Sequence, residues 1–172
     1  LLCNESVVGS SYYDNGEHQL LTSLTITPAQ AGDAEWCARL MASIDPWVTL
    51  GRKYEDCLVR CTHPEYTLLV ARDSGERCGF ILLHPRGVAG SPYIASVAVA
   101  PQYQGRSIGS ELVAEAEHYF PGARHIFLCV SSFNTQARKL YERLGFQRVG
   151  ELEDYVITGA SEILMHKCLQ QS

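Results

Sequence analysis

Between residues 93 and 130 the chain runs strand, loop, helix, strand in one pass, and no other feature constrains its fold as much. Tyr93-Ile94-Ala95-Ser96-Val97-Ala98-Val99 is a long β-rich run stopped by Pro101. A Gly/Ser/Arg loop then leads into Ile108, Leu112, Ala116 and Tyr119, an apolar face at helical spacing that ends at Pro121-Gly122. His125 to Val130 is nearly all apolar, as expected of a strand buried on both faces. Two strands joined through a helix predict one βαβ crossover and hence one parallel pair.

The flanks read differently. Leu24 and Ile26 alternate with Thr25 and Thr27, a short strand, and Pro28 is expected to open a helix carrying Ala34, Cys37, Met41 and Ile44. Asp45-Pro46 breaks that helix, and a second is expected to carry Trp47, Leu50, Tyr54, Leu58 and Cys61 until His63-Pro64. Residues 66–71 and 78–83 read as a hairpin around Asp73-Ser74-Gly75-Glu76, and 85–92 as a loop. Asn134 is a suitable N-cap for a helix that turns Ala137, Leu140, Tyr141 and Leu144 inward and closes at Gly145. Phe146–Val149 and Ile163–His166 complete the strands. The predicted order is β, α, α, β, β, β, α, β, α, β, β. That is an α/β (α+β) layer sandwich, with a mixed, mostly antiparallel central sheet and helices on both faces.

The chain has 172 residues, the length of one domain, with 1–20 read as a flexible polar lead-in and 21–172 as the folded unit. A net charge of −5 argues against a nucleic-acid partner, and no apolar run approaches the length of a membrane span. Leu1-Leu2-Cys3-Asn4-Glu5 has no signal-peptide core, so a cytoplasmic setting is expected. Seven scattered cysteines do not form a disulfide framework and suit a reducing compartment. Cys57 and Cys61 share a predicted helix face, but only His63 stands near them in sequence. The six histidines show no pairing that calls for a metal, and none is expected.

The loop Gln104-Gly105-Arg106-Ser107-Ile108-Gly109-Ser110 carries the first chemical signal. The first N–H groups of a helix lack internal partners and carry the positive end of its dipole. Small residues let a phosphate approach them, and Arg106 adds a cation. The glycine spacing fits neither a Walker loop nor a dinucleotide fingerprint, and a plain strand–turn–helix would look the same. The second signal is Asn134, Ala137, Leu140, Tyr141, Gly145 and Phe146, an N-x-x-A-x-x-L-Y-x-x-x-G-F pattern. Its Tyr141 is either a core aromatic or a phenolic proton donor.

In order and spacing the two signals together resemble the GNAT superfamily of acetyl-CoA-dependent N-acetyltransferases, over roughly residues 22–169. The resemblance implies a soluble enzyme that moves an acetyl group to a primary amine by direct attack in a ternary complex, without a metal. It implies that the strand Val97-Ala98-Val99 splays from the next, which runs through Cys129 and Val130, and takes the pantetheine arm of acetyl-CoA. The backbone from Gln104 and Gly105 through Arg106, Ser107, Ile108, Gly109 and Ser110 would hold the pyrophosphate. Asn134, Ala137 and Tyr141 would face the cofactor, with Tyr141 protonating the departing thiolate. A backbone N–H near Val99 would hold the oxyanion.

Two positions depart from the family pattern. Ser107 replaces the middle glycine of the loop; a helical conformation there would keep its N–H available but crowd the phosphate. Ala95 stands where many members carry an acid, so a water relay through backbone carbonyls, Tyr93 or Ser96 is left to deprotonate the acceptor. An acyl-CoA-binding module without catalysis is the alternative reading. For the acceptor, a small molecule or a peptide, the candidate residues are Trp47, Tyr93, Glu153, Asp154 and Tyr155, with Glu151 completing an acidic patch.

Overall fold

The computed structural model describes residues 23–169; the expected lead-in, 1–20, lies outside them. Seven strands form one sheet: β1 Leu24–Pro28, β2 Thr67–Asp73, β3 Glu76–Val88, β4 Ser91–Val99, β5 His125–Ser131, β6 Gln147–Leu152 and β7 Glu162–Cys168. Their spatial order is β1-β2-β3-β4-β5-β7-β6, and only β4 and β5 run parallel. The helices are α1 Asp33–Ser43, α2 Tyr54–Thr62, α3 Ile108–Tyr119 and α4 Thr135–Arg143. This is the expected order and fold class. Among the described residues no helix is long and apolar enough to cross a membrane.

Strand alternation divides the core between the two faces of the sheet. Cys37, Ala38 and Met41 of α1 and Cys57 and Cys61 of α2 pack on Val70, Phe80, Leu82 and Ala98, which defines the front face. Ile108, Leu112, Val113 and Ala116 of α3 and Tyr141 of α4 pack on Ile81, Ile94, Ile126, Leu128 and Met165 at the back. The six described cysteines are all free.

Three boundaries differ from expectation. Pro28 ends β1 rather than opening a helix, and α1 begins at Asp33, whose buried carboxylate accepts the Gln30 N–H at 2.7 Å. Trp47 and Leu50 precede α2 in a run of turns, held by Thr49 donating to Asp45 and ended by Gly51 at φ 67°. The expected loop 85–92 is mostly strand. Ala89 and Gly90, at φ 48° and 80°, make a two-residue turn between β3 and β4. Positive φ at both central residues matches the right-handed twist of a hairpin. Pro85 is accommodated because the β3–β4 register breaks between His84 and Val88.

Candidate active site

The site begins with one extra residue. Leu83 faces Ile94 across the β3–β4 ladder and Leu82 faces Ser96, so Ala95 is a bulge. The bulge reverses the alternation of β4: Ile94 packs into the back core, whereas Ala98 and Ala100 pack into the front. It also ends the parallel ladder. Strands β4 and β5 pair only at Tyr93–Phe127 and Ile94–Leu128, then part. Between them opens a cleft of about 1090 Å³, lined by Ala95 to Val99 on one side and Cys129 to Ser131 on the other.

The backbone of β4 is turned into this opening. Ala100 N–H donates to Cys78 O on β3, so by alternation the N–H and C=O groups of Val97 and Val99 face away from β3. Consistent with this, Gln104 Nε2 donates to Val99 O at 3.3 Å and Arg60 Nη2 donates to Ala95 O at 2.9 Å. Ser96 Oγ also donates to Ala95 O, at 2.7 Å, so that carbonyl is already engaged.

At one end of the cleft lie Gln104, Gly105, Ser107, Ile108, Gly109 and Ser110. Ser107 O accepts the N–H groups of Ser110 and Glu111, while those of residues 105–109 find no backbone acceptor among the described residues. Free N–H groups at the start of a helix are suited to an anion. Ser107 does not take the helical conformation considered for it: it caps α3 in the left-handed region, at φ 61° and ψ 4°, without a side-chain capping bond. The tight entry into α3 demands this conformation, which glycine adopts without strain. The Arg106 side chain leaves the cleft, pairing with Asp73 at 3.7 Å and lying over the Tyr103 ring at 5.3 Å. Lys139 and Arg143, unremarked in the sequence, line the cleft from α4 instead.

Helix α4 brings the second signal to the same opening. Asn134 Oδ1 caps it by accepting the Ala137 N–H at 3.2 Å, and Asn134, Ala137 and Tyr141 all line the cleft. Tyr141 is buried with its ring against Phe146 at 5.9 Å, and burial pushes its phenol up to about 12.

The other end of the cleft, on the front face, is lined by Trp47, Tyr93, Tyr155 and Val156. Tyr93 packs over Gly87, where any Cβ would lie 2.3 Å from that of Tyr93, so the close approach requires glycine. Burial, and then the Cys129 thiol it hydrogen-bonds, raise the Tyr93 phenol far above its ordinary range. Burial likewise raises Cys129. Both are therefore neutral at neutral pH and can relay a proton only through hydrogen bonds.

Glu153, Asp154 and Glu151 do not line the cleft. Asp154 folds back to accept the Gly159 N–H at 2.6 Å, and Glu151 pairs with Arg148. Of the acids that line the cleft, Asp45, Asp56 and Glu162, only Glu162 is buried, and sequence reasoning missed it. It accepts Ser131 Oγ at 2.6 Å across the β5–β7 pair. Its one sequence signal is a charge at the head of the apolar run Ile163-Leu164-Met165.

A sequence profile described as the acetyltransferase (GNAT) family matches residues 32–146. The chain belongs to this family. It is 31% identical over 152 residues to the N-alpha-acetyltransferase RimI of Mycobacterium tuberculosis, covering 84% of this chain and 92% of that protein. A putative GNAT acetyltransferase from Desulfovibrio desulfuricans superimposes with a TM-score of 0.73 at 20% identity, over 86% of this chain and all of that one. The spermidine N-acetyltransferase of Vibrio cholerae, solved with CoA and spermine, gives 0.68 at 19% identity, over 86% and 96% of the two chains. As a member of the family the chain is an N-acetyltransferase, and acetyl-CoA is its cosubstrate.

Proposed function

We propose that the acceptor is the α-amine of a polypeptide N-terminus, and that it attacks as the neutral amine while both substrates are bound. The observation that carries this is Ala95. The bulge points no carboxylate into the cleft, and its carbonyl is taken by Arg60 and Ser96. An α-amine, with a pKa of about 8, is partly neutral at pH 7, whereas a lysine amine near 10.4 is not. The kinship with an N-alpha-acetyltransferase over nearly its whole length supports the same class.

The residues present suit acetyl-CoA, which supplies the activated acetyl thioester. The unpartnered N–H groups of residues 105–109 would take the pyrophosphate, with Lys139 and Arg143 adding positive charge. The N–H groups of Val97 and Val99, turned into the opening, would bind the pantetheine amides and the thioester oxygen. Tyr141, protonated because it is buried, would donate to the departing sulfur. Glu162 and the neutral Tyr93–Cys129 pair would orient the amine and pass on its proton.

The test is a panel of acceptors with purified protein and acetyl-CoA, read by thiol release and by mass of the product. The panel holds short peptides with free N-termini, the same peptides Nα-blocked but bearing lysine, a polyamine and an aminoglycoside. Acetylation confined to free N-termini supports the proposal. Blocked lysine peptides or the polyamine reacting as fast would reject it.

A further inference from the structure

The β5–β7 register assembles a second group of ligating side chains, remote from the cleft. His125 lies directly across from Cys168, and His166 lies across from Phe127, so all three share the front face of the sheet. One ligand atom from each falls within 4.8 Å of the others. Cys168 Sγ is already 3.5 Å from His125 Nδ1. The His166 ring is held edge-on to both Phe127, at 5.6 Å, and His125, at 5.7 Å. Its Nδ1 is buried with no hydrogen-bond partner, an arrangement native proteins rarely tolerate without a ligand or ordered water. None of the three residues lines the acetyl-transfer cleft, and His125 and Cys168 border a separate surface pocket with Arg124 and Leu169.

We propose that His125, His166 and Cys168 form a binding site for a borderline-soft divalent cation, of which Zn²⁺ is the best match. Two imidazoles and a thiol, with no carboxylate among them, select Zn²⁺ or Co²⁺ over Mg²⁺ or Ca²⁺. Tetrahedral bonds of about 2.0–2.3 Å place ligand atoms about 3.3–3.8 Å apart, so the group closes on a metal by rotation of side chains alone. Three protein ligands leave a fourth position for water. The cation would replace the Cys168 thiol proton, and the resulting thiolate offsets the charge of nearby Arg124. Bound there, it ties the last strand to β5.

Untagged protein is titrated with Co²⁺ under reducing conditions and the near-ultraviolet thiolate-to-metal absorption recorded; Zn²⁺ affinity is then measured against a chromophoric chelator. The expected result is one equivalent bound, with Zn²⁺ displacing Co²⁺ and raising Tm. Cys168→Ser should abolish the absorption. His125→Ala should weaken Zn²⁺ binding beyond the about 10–100-fold that loss of an outer-shell partner costs. Cys168 is exposed and His125 stands at a strand end, so both variants should fold, and circular dichroism checks this. Absorption retained in Cys168→Ser places the metal on other thiols and overturns the site. So does a failure of the wild type to bind one equivalent.

Discussion

Tyr141→Phe tests the transfer mechanism most directly, because it removes one oxygen from a buried ring and leaves the packing on Phe146 in place. With its phenol near 12, Tyr141 is a weak acid relative to a thiol of about 8.5. Full proton transfer across that gap of about 3.5 units costs roughly 5 kcal/mol. Burial also raises the basicity of a thiolate in the same cleft, which narrows the gap without closing it. On the proposed mechanism Tyr141 would therefore act mainly as a hydrogen-bond donor to a sulfur that is gaining charge, at the low end of what general acids contribute. The expected loss in kcat is about 10²-fold, or about 2.7 kcal/mol, with acetyl-CoA affinity unchanged. The pH profile carries the sign. The donor is lost only as pH rises through about 12, so wild-type kcat/KM should climb with deprotonation of the acceptor and then stay flat to pH ~10. The assay is single-turnover thiol release across pH, with affinity from calorimetry. An unchanged single-turnover rate in the variant would refute the role. A descending limb near pH 10 that disappears in Tyr141→Phe would keep the role but refute the raised phenol.

Three other substitutions follow from the geometry. Ser107→Gly relieves a left-handed residue, a conformation costing about 1–2 kcal/mol outside glycine, against about 0.4–1 kcal/mol of added unfolded-state entropy. Tm should hold or rise and acetyl-CoA should bind at least as tightly; weaker binding in calorimetry would show that the hydroxyl itself holds phosphate. Asp33→Asn breaks a buried carboxylate's bonds to Arg72 at 2.7 Å and Arg77 at 2.7 Å, but these arginines reach water, so the cost should be about 2 kcal/mol rather than 3–5. Burial raises the Asp33 carboxyl, but the Gln30 N–H and the two guanidinium groups outweigh it and hold it below its ordinary value. Its stability contribution is thus present above pH ~4 and lost as pH falls through the lowered value; denaturation of the Asn variant should lack that acid dependence. Glu162→Gln should raise the acceptor KM about 10-fold, the worth of one charge-assisted hydrogen bond, and leave the acetyl-CoA KM alone; equal effects on both would make Glu162 a structural residue only.

The order of elements was legible because periods of two and of 3.6 residues are local properties, and so were the small-residue turn into α3 and the Asn134 cap, each written within a few consecutive residues. What the sequence hid are relations between segments. Ser131 and Glu162 stand 31 residues apart, and only the β5–β7 register joins them. The same register brings His125 to Cys168 and His166 close to both, a grouping that their sequence spacing does not show. Glu153 and Asp154 are acceptor candidates because the family resemblance implies that the loop between the last two strands borders the acceptor. Side-chain direction in that loop is set instead by Asp154 at φ 49° and its bond to Gly159, and it is Leu152, Tyr155 and Val156 that line the cleft.

Ala95 ties these observations together. At the level of residue type, an alanine in place of an acid reads as a loss of chemistry. In the fold, the same position is the extra residue that ends the parallel ladder, and the cleft exists because the ladder ends there. The bulge swings Ala98 and Ala100 into the front core beneath α1 and α2, which anchors the free edge of β4. It also aims Ala95 O at Arg60, whose guanidinium lies 5.7 Å from the Tyr66 ring and braces the opened strand from α2. A backbone device of this kind needs no particular side chain at its centre, only a small one that leaves the opening clear. On the proposed function, the acceptor's proton would then be managed where Tyr93 of β4 meets Cys129 of β5 and Glu162 of β7, and the amines that react would be those already close to neutrality.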